Sequence, residues 1–181
     1  MIDRALIDAM PEHVAACWRR EAGEKGPLGA PVAPPVAMQE GAWAGTAVRF
    51  ADGAIFAWDP PPGAPRARPL VLFAREPAYA KWIAIGAAHA VGWPVGEIES
   101  AAALRLLRCT RGTIVEHPTH GAHAIAGPLF ALWQQLGGLA SELGAPVADV
   151  EEPSDPAGTR TLRFEHGELC WSPSRGAWRA R

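Results

Sequence analysis

Three histidines stand at every third position of the segment HPTHGAH: His117, His120 and His123. Imidazole nitrogens are common metal ligands, and a regular spacing on one element would let the three rings share an ion. Pro118 and Gly121 interrupt any helix that would align the rings, because proline lacks an amide N–H and glycine favours turns. No pair of cysteines has the spacing of a zinc site. The pattern indicates capping and hydrogen-bonding roles, and we expect neither a metal nor another cofactor.

The chain carries no recognisable catalytic motif. It has no Gly-x-Ser-x-Gly element to expose a nucleophilic serine, and no glycine-rich loop of the kind that holds a nucleotide phosphate. The cysteines number 3, an odd count, and Cys109 and Cys170 fall inside predicted strands. A thiol in that position behaves as a small buried hydrophobe, so we expect no disulfide. The sequence therefore favours a non-catalytic protein, with an enzyme whose site is dispersed along the chain as the alternative.

An arginine stands four residues before a glycine at three places: Arg49, Arg108 and Arg163. Phe50 and Phe164 directly follow two of them, so the aromatic ring and the guanidinium face opposite sides of a strand. If the rings are in the core, the guanidiniums point outward, where three of them together could bind a carboxylate, a phosphate or sugar hydroxyls. The alternative is that each arginine pairs with a nearby acid on a solvated face.

Acidic and aromatic residues complete the candidate ligand site. Carboxylates accept hydrogen bonds from sugar hydroxyls, and indole faces can stack on sugar rings. The chain has 8 tryptophans, most of which we expect in the core, but several lie outside the predicted helices. The predicted ligand-binding residues are Arg49, Arg108, Arg163, Trp58, Trp171, Glu97 and Asp149.

These residues recur because the sequence itself repeats. GPLGAPV at 26–32 returns as SELGAPV at 141–147, and AVGWPV at 90–95 is a shorter relative. A tryptophan precedes each of these turns, and a glycine-bearing strand segment follows each one. The tryptophans are Trp18, Trp82 and Trp133, and the segments are VRFADGAIFAW, LRCTRGTIVEH and LRFEHGELCW. Each copy thus has a tryptophan, a turn and a glycine-bearing segment in the same order. This recurrence predicts one structural unit repeated three times.

Each copy is predicted to contain a helix that ends at paired turn residues. In AIAGPLFALWQQLGG, the apolar residues recur on one helical face: Ile125, Leu129, Leu132, Trp133 and Leu136. Gly137 and Gly138 then end the helix, since glycine readily adopts the left-handed conformation of a helix C-terminus.

The helix is followed by a tight turn and a β-hairpin. Leu28 and Leu143 occupy equivalent places in the turn and are predicted to point into the core. Gly29 and Gly144 follow them and are predicted to take positive φ. The alternating segment TLRFEHGELCWS then turns at its central His-Gly pair, which is typical of a short hairpin.

The run HPTHGAHAIAGPLFALWQQLGGLASELGAPVADVEE, followed by LRFEHGELCWSPSRGAW, resembles the LGFP repeat of cell-envelope proteins from mycolate-bearing actinobacteria. The family pattern is nearly whole in residues 118–178, is kept at its main positions in the first copy, and is degenerate in the second, where Val-Gly-Trp-Pro replaces Leu-Gly-x-Pro. The resemblance implies a cell-wall protein that attaches without catalysis to envelope polysaccharide.

The repeats define the expected architecture. We predict a single domain over 1–181 with units at about 10–60, 75–120 and 121–178, and a proline-rich linker over 59–69. One unit cannot bury its apolar face alone, so neighbouring units must stack. A chain that starts in a helix and stops after a hairpin lets the third hairpin meet the first helix. The prediction is an α+β fold of three helix–turn–β-hairpin repeats in a closed pseudo-threefold, propeller-like disc, with an open solenoid as the alternative.

Composition limits the functional classes. The net charge of −2 gives no basic field for nucleic acid, and no apolar run is long enough for membrane insertion. The N-terminal segment lacks the apolar core of a signal peptide. We expect a cytoplasmic location as the chain stands, or the cell envelope if a signal was removed.

Two functions remain open at this point. The first is non-catalytic binding of cell-envelope polysaccharide, either arabinan-like or peptidoglycan-linked, as the resemblance implies. The second is a cytosolic small-ligand-binding protein, or a tailoring enzyme, that reuses the repeat scaffold.

Overall fold

The computed structural model describes residues 3–59, 70–75, 77–96, 98–101, 103–153 and 155–180. The chain forms two compact units, Met1–Ala80 and Lys81–Arg181. Both combine helices with antiparallel strands, as the α+β prediction requires. Among the described residues, every helix is too short or too polar to cross a bilayer. The linker predicted over 59–69 lies, apart from its first residue, outside the described residues.

Unit 1 places a helix against a four-stranded sheet. Its elements are α1 (Arg4–Asp8), α2 (Glu12–Arg20), a 3₁₀ turn (Gly23–Lys25), β1 (Val36–Glu40), β2 (Trp43–Phe50), β3 (Gly53–Trp58) and β4 (Leu70–Arg75). The strands form sheet A in the order β1-β2-β3-β4, antiparallel throughout. Val14 and Trp18 of α2 share a buried cluster with Leu28, Phe50 and Ile55. Burial of this apolar face holds the helix on the sheet.

Unit 2 contains two sheets that share one helix. The helix α3 (Ala78–Ala84) begins just before it, and its further elements are α4 (Ala88–Val91), β5 (Glu99–Ala101), β6 (Leu104–Cys109), β7 (Gly112–His117), β8 (Gly121–Ala126), α5 (Gly127–Gln135), a 3₁₀ turn (Gly138–Ala140), β9 (Arg160–Phe164), β10 (Gly167–Ser172) and β11 (Gly176–Arg179). Sheet B has the order β5-β6-β7-β8 and sheet C the order β11-β10-β9. Trp133 of α5 packs in one cluster with Leu106 and Val115 of sheet B and Leu162 and Leu169 of sheet C.

The same β-bridge connects the turn to the strand in all three copies. An isolated bridge joins the proline of each turn to the strand residue that follows the arginine; these bridges are Pro31–Phe50, Pro94–Cys109 and Pro146–Phe164. The helix tryptophans are buried in every copy, at 5%, 4% and 3% exposure for Trp18, Trp82 and Trp133. The three copies read from the sequence therefore share one turn-to-strand connection.

The turn residues are as predicted. Leu28 and Leu143 are 1% and 0% exposed. Gly29 and Gly144 have φ of 71° and 74°, a conformation that costs glycine little and other residues more. The turn thus buries its leucine by means of the glycine that follows.

Both ends of α5 differ from the prediction: the helix ends at Gln135, and Leu136, which was predicted on its apolar face, is 38% exposed. Residues Gly121–Ala126 form the strand β8, and the helix begins at Gly127, so Ile125 is buried from a strand and not from a helical face. Gly121, at φ of 84°, turns the chain back so that β8 pairs with the whole of β7. The hydrogen bonds of this pairing outweigh the helical preference of an alanine-rich segment.

The hairpins are the centres of larger sheets. β2–β3, β6–β7 and β9–β10 are the predicted hairpins, and they gain neighbours at one or both edges to give sheets of four, four and three strands. The three sheets are separate and each is open, so closure into a propeller-like disc is not confirmed. What is confirmed is a mixed fold with three small antiparallel sheets.

Candidate functional site

Two of the predicted arginines form ion pairs on exposed strand positions. Arg108 of β6 contacts Glu99 twice, Nε to Oε1 at 2.8 Å and Nη2 to Oε2 at 2.9 Å. Arg163 of β9 contacts Glu151 at 3.0 Å and Glu168 at 3.3 Å. Pairing with nearby acids on a solvated face, the alternative set out above, therefore holds for both side chains.

Arg49 differs from the other two. It is exposed on β2 of unit 1 and forms no ion pair with any residue that the structure describes. Its cross-strand neighbour is Ala54, whereas the neighbour of Arg163 at the equivalent position is Glu168. Convergence of the three guanidiniums on one ligand remains a prediction.

Arg108 lies in a groove of about 660 Å³ in unit 2. We call it the Arg108 groove. One wall comes from β5, β6 and the turn after β6, and the other from α5 and the residues that follow it. The side chains that give it polar character are Glu99, Ser100, Arg108, Thr110 and Gln134, with the ring of Phe130 beside them. A groove of this size with several donors and acceptors is suited to a hydroxyl-rich ligand.

Two other predicted residues, Trp171 and Asp149, meet in a second cavity of about 670 Å³ in unit 2. We call it the Trp171 cavity. Its wall is mainly apolar, with Ile85, Val91, Ala124, Ala126, Pro128, Leu129 and Val150, and its charged lining residues are Asp149 and Arg160. Asp149 and Trp171, both among the predicted ligand-binding residues, thus line the same cavity, together with Arg160, which was not among them.

The carboxylate of Asp149 contacts two side chains, those of Lys81 and His123. Lys81 hydrogen-bonds its Oδ2, and His123 Nδ1 lies 3.2 Å from its Oδ1. Burial alone would raise the pKa of Asp149, but the hydrogen bonds from Lys81 and His123 outweigh burial and hold the pKa below its usual value. His123 Nε2 also faces the backbone oxygen of His120, at 2.8 Å.

The histidine segment acts as a turn cap. His117 Nδ1 accepts hydrogen bonds from the amide N–H groups of Thr119, at 3.1 Å, and His120, at 3.2 Å. Its Nε2 lies 3.4 Å from Glu165 Oε1. These are the capping and hydrogen-bonding roles expected from the sequence. In the part of the chain that the structure describes, no three His, Cys, Asp or Glu side chains come together as a metal site.

The two remaining predicted residues are Trp58 and Glu97. Trp58 is 2% exposed, so its indole has no free face for a sugar ring. Glu97 lies outside the described residues.

Cys109 and Cys170 are buried, as expected; Cys17 is buried as well, and none of the three forms a disulfide. Burial raises the pKa of the Cys109 thiol to about 12, so this side chain, which borders the Arg108 groove, carries a proton at neutral pH. A protonated thiol is a poor nucleophile.

Sequence reasoning missed Arg160. It lies directly opposite Trp171 in the ladder of sheet C. A signal was present, because Arg105 stands at the same distance before the strand glycine of its own copy. Aligning the copies on that glycine would have paired the two arginines.

The comparisons with known proteins agree with the repeat. The family model of the LGFP repeat matches residues 91–141 and 143–181, which hold the whole Arg108 groove and most of the Trp171 cavity. No curated protein matches the chain.

Proposed function

Because the chain belongs to the LGFP-repeat family, we propose that it is a non-catalytic protein that binds cell-envelope polysaccharide. The ligand we propose is arabinan-like or peptidoglycan-linked, and its site is the Arg108 groove.

The paired contact between Arg108 and Glu99 is the observation that carries this proposal. Their side chains are 58% and 50% exposed, so each keeps hydrogen-bonding capacity toward solvent after the pair has formed. A guanidinium has five N–H donors and a carboxylate has about four acceptor positions, of which the pair uses only some. Two adjacent sugar hydroxyls can therefore accept from Arg108 and donate to Glu99 at the same time.

The other groove residues fit the same ligand. Gln134 offers both an amide donor and a carbonyl acceptor, while Ser100 and Thr110 offer hydroxyls. Phe130 supplies an apolar ring against which the C–H face of a sugar can pack. Cys109, protonated at neutral pH, gives the groove no reactive thiolate, which supports binding without chemistry.

For the whole molecule we propose three repeat units about a pseudo-threefold axis. We also propose the cell envelope as its location, since the family resemblance implies it, with the cytosol as the alternative.

Calorimetric titration tests the proposed site. The wild-type chain is titrated with a linear arabino-oligosaccharide and, separately, with a soluble glycan fragment of peptidoglycan. Arg108→Gln should weaken binding about tenfold, since one hydrogen bond from a charged donor contributes roughly 1.5 kcal/mol or more.

Arg163→Gln is the matched control, because Arg163 is also ion-paired and 55% exposed but lies outside the groove. Its affinity should equal that of the wild type. If the wild type binds neither glycan, the proposed function is wrong. If Arg163→Gln weakens binding and Arg108→Gln does not, the site lies on another face of unit 2.

A further inference from the structure

Sheets B and C each have an arginine at an equivalent position, but the residue opposite it on the neighbouring strand differs. Arg105 on β6 lies opposite Glu116 on β7, and Arg160 on β9 lies opposite Trp171 on β10. Each arginine stands seven residues before the strand glycine of its own copy, so the two positions are equivalent. The second copy thus has an arginine facing an acid where the third copy has an arginine facing an indole.

In sheet B the arginine has a carboxylate built into the fold. Arg105 Nη1 lies 3.1 Å from Glu116 Oε2, and the Glu116 side chain is only 8% exposed. A buried carboxylate is tolerated because a cation with directed N–H donors lies against it. This pair shows what an arginine at this register can hold: one carboxylate at the edge of an apolar core.

In sheet C the equivalent arginine has only a weak partner. The ion pair that Arg160 forms within the described residues is with Glu152, at 4.0 Å, and the Glu152 side chain is 88% exposed. A contact of that length and exposure contributes little. Trp171 fills the position of the acid with an apolar ring, so Arg160 has no counterpart to the carboxylate of Glu116.

The space beside Arg160 is the Trp171 cavity, at about 670 Å³. This volume is within the range of about 300–1,000 Å³ that is typical of small-molecule sites. Asp149, the other charged lining residue, is already hydrogen-bonded by Lys81 and His123. The cavity therefore presents an indole ring, an apolar wall and one guanidinium, that of Arg160, whose ion pair with Glu152 is long and exposed.

We infer that the Trp171 cavity binds a small planar carboxylate. The flat body of the ligand packs on the indole of Trp171 and on the apolar wall, and its carboxylate takes two N–H donors of Arg160. At Arg160 the ligand carboxylate stands in for the side chain that Glu116 supplies at Arg105. Carboxylate fits better than a single-point anion because the guanidinium fork matches its two oxygens. This site is separate from the Arg108 groove and takes a different class of ligand.

A matched pair of probes tests the inference on the full chain. 2-Naphthoate and 2-naphthamide have the same ring and nearly the same size, and they differ in charge. We expect calorimetry to show 1:1 binding of naphthoate and about five- to tenfold weaker binding of the amide, a moderate effect because Arg160 is 48% exposed. Added salt should weaken the naphthoate complex and leave the amide complex nearly unchanged.

Three variants assign the effect to residues. Arg160→Gln should reduce naphthoate affinity to that of the amide and leave amide affinity unchanged. Trp171→Leu should weaken both probes. Arg163→Gln, on the same strand but outside the cavity, should change neither. Thermal melts of each variant check that the fold is kept.

Two results would overturn the inference. One is wild-type protein that binds neither probe at millimolar concentration. The other is equal affinity for naphthoate and naphthamide, with no effect of Arg160→Gln. That result would mean that the cavity binds the probes through apolar contacts alone. Because the probes carry no sugar hydroxyls, both results are independent of the polysaccharide proposal.

Discussion

Leu143 lies directly against Gly167: a β-carbon built on that glycine would come within 2.9 Å of Leu143 Cδ2. Leu143 is fully buried and shares a cluster with Trp133 and Phe164. The turn leucine and the strand glycine are therefore complementary, since the absent side chain of one leaves the volume that the other fills. In the third copy, this contact gives a physical reason for a leucine in the turn and a glycine in the strand.

Truncation of the turn leucine should be costly. Leu143→Ala removes buried methyl groups from a packed site, so the free energy of unfolding should fall by about 2–5 kcal/mol. Urea denaturation measures it. Leu136→Ala is the control, because Leu136 is 38% exposed and its truncation should cost less than about 1 kcal/mol. A loss below about 0.5 kcal/mol for Leu143→Ala would mean that the turn is not packed as described.

The contact with Gly167 can be measured by a double-mutant cycle. Gly167→Ala should destabilise the chain by about 1–3 kcal/mol, because the new methyl group overlaps Leu143 and because φ of 151° is unfavourable for alanine. In the Leu143→Ala background the overlap is gone and only the backbone strain remains. The cost of Gly167→Ala should therefore shrink by at least about 0.5 kcal/mol. Strictly additive losses would refute the packing relationship.

The turns and the core of each repeat were readable from the sequence, and the sheet edges were not. Leu28 and Leu143 could be predicted because a buried turn position favours an apolar side chain, and the glycine after each because positive φ favours glycine. Residues 124–126 were predicted as the start of a helix, yet they belong to a strand because β7 offers an unpaired edge. Pairing of this kind depends on partners elsewhere in the chain, which local preference does not encode.

The residues of the candidate sites also differ in whether the sequence alone could identify them. Arg108 was found because its spacing to a glycine recurs in every copy. The role of Arg160 depends on strand register, which sets it opposite Trp171 and not opposite an acid. That distinction requires the alignment of two strands, and a pattern along one strand does not contain it.

Asp149 should make the stability of unit 2 depend on pH in the acid range. Its pKa in the folded chain lies below the usual 3.8, because hydrogen bonds from Lys81 and His123 outweigh the opposing effect of burial. As the pH falls, the unfolded chain takes up the proton first, so the stabilisation is complete above the usual pKa and is lost as the pH falls through the folded-state pKa.

Comparison with Asp149→Asn isolates this effect. The wild type should be more stable than the variant near about pH 6, and the difference should shrink as the pH falls below the usual pKa of 3.8. The difference should not exceed about 1 kcal/mol, because the carboxylate is 53% exposed and solvent screens it. Urea denaturation across this range measures it. A difference that grows as the pH falls would contradict the stated hydrogen bonds.

Two equivalent tryptophans differ in how their indole N–H groups are satisfied. Trp82 Nε1 donates to the backbone oxygen of Gly92 at 2.9 Å, as Trp18 Nε1 does to Gly29. Trp133 Nε1 is buried and has no hydrogen-bond partner among the described residues. The third copy therefore keeps the buried ring of the repeat without the hydrogen bond that accompanies it in the other two.

Replacement by phenylalanine should separate these cases. Trp82→Phe and Trp133→Phe lose the same ring volume, but only Trp82→Phe leaves a buried carbonyl oxygen without its donor. Trp133→Phe instead removes a donor that is already unsatisfied. Trp82→Phe should therefore cost about 1 kcal/mol more than Trp133→Phe, the typical net contribution of one hydrogen bond. Urea denaturation of both variants measures the difference, and Trp18→Phe, which loses the bond to Gly29, should behave like Trp82→Phe. An equal or larger cost for Trp133→Phe would show that its indole N–H is hydrogen-bonded in solution.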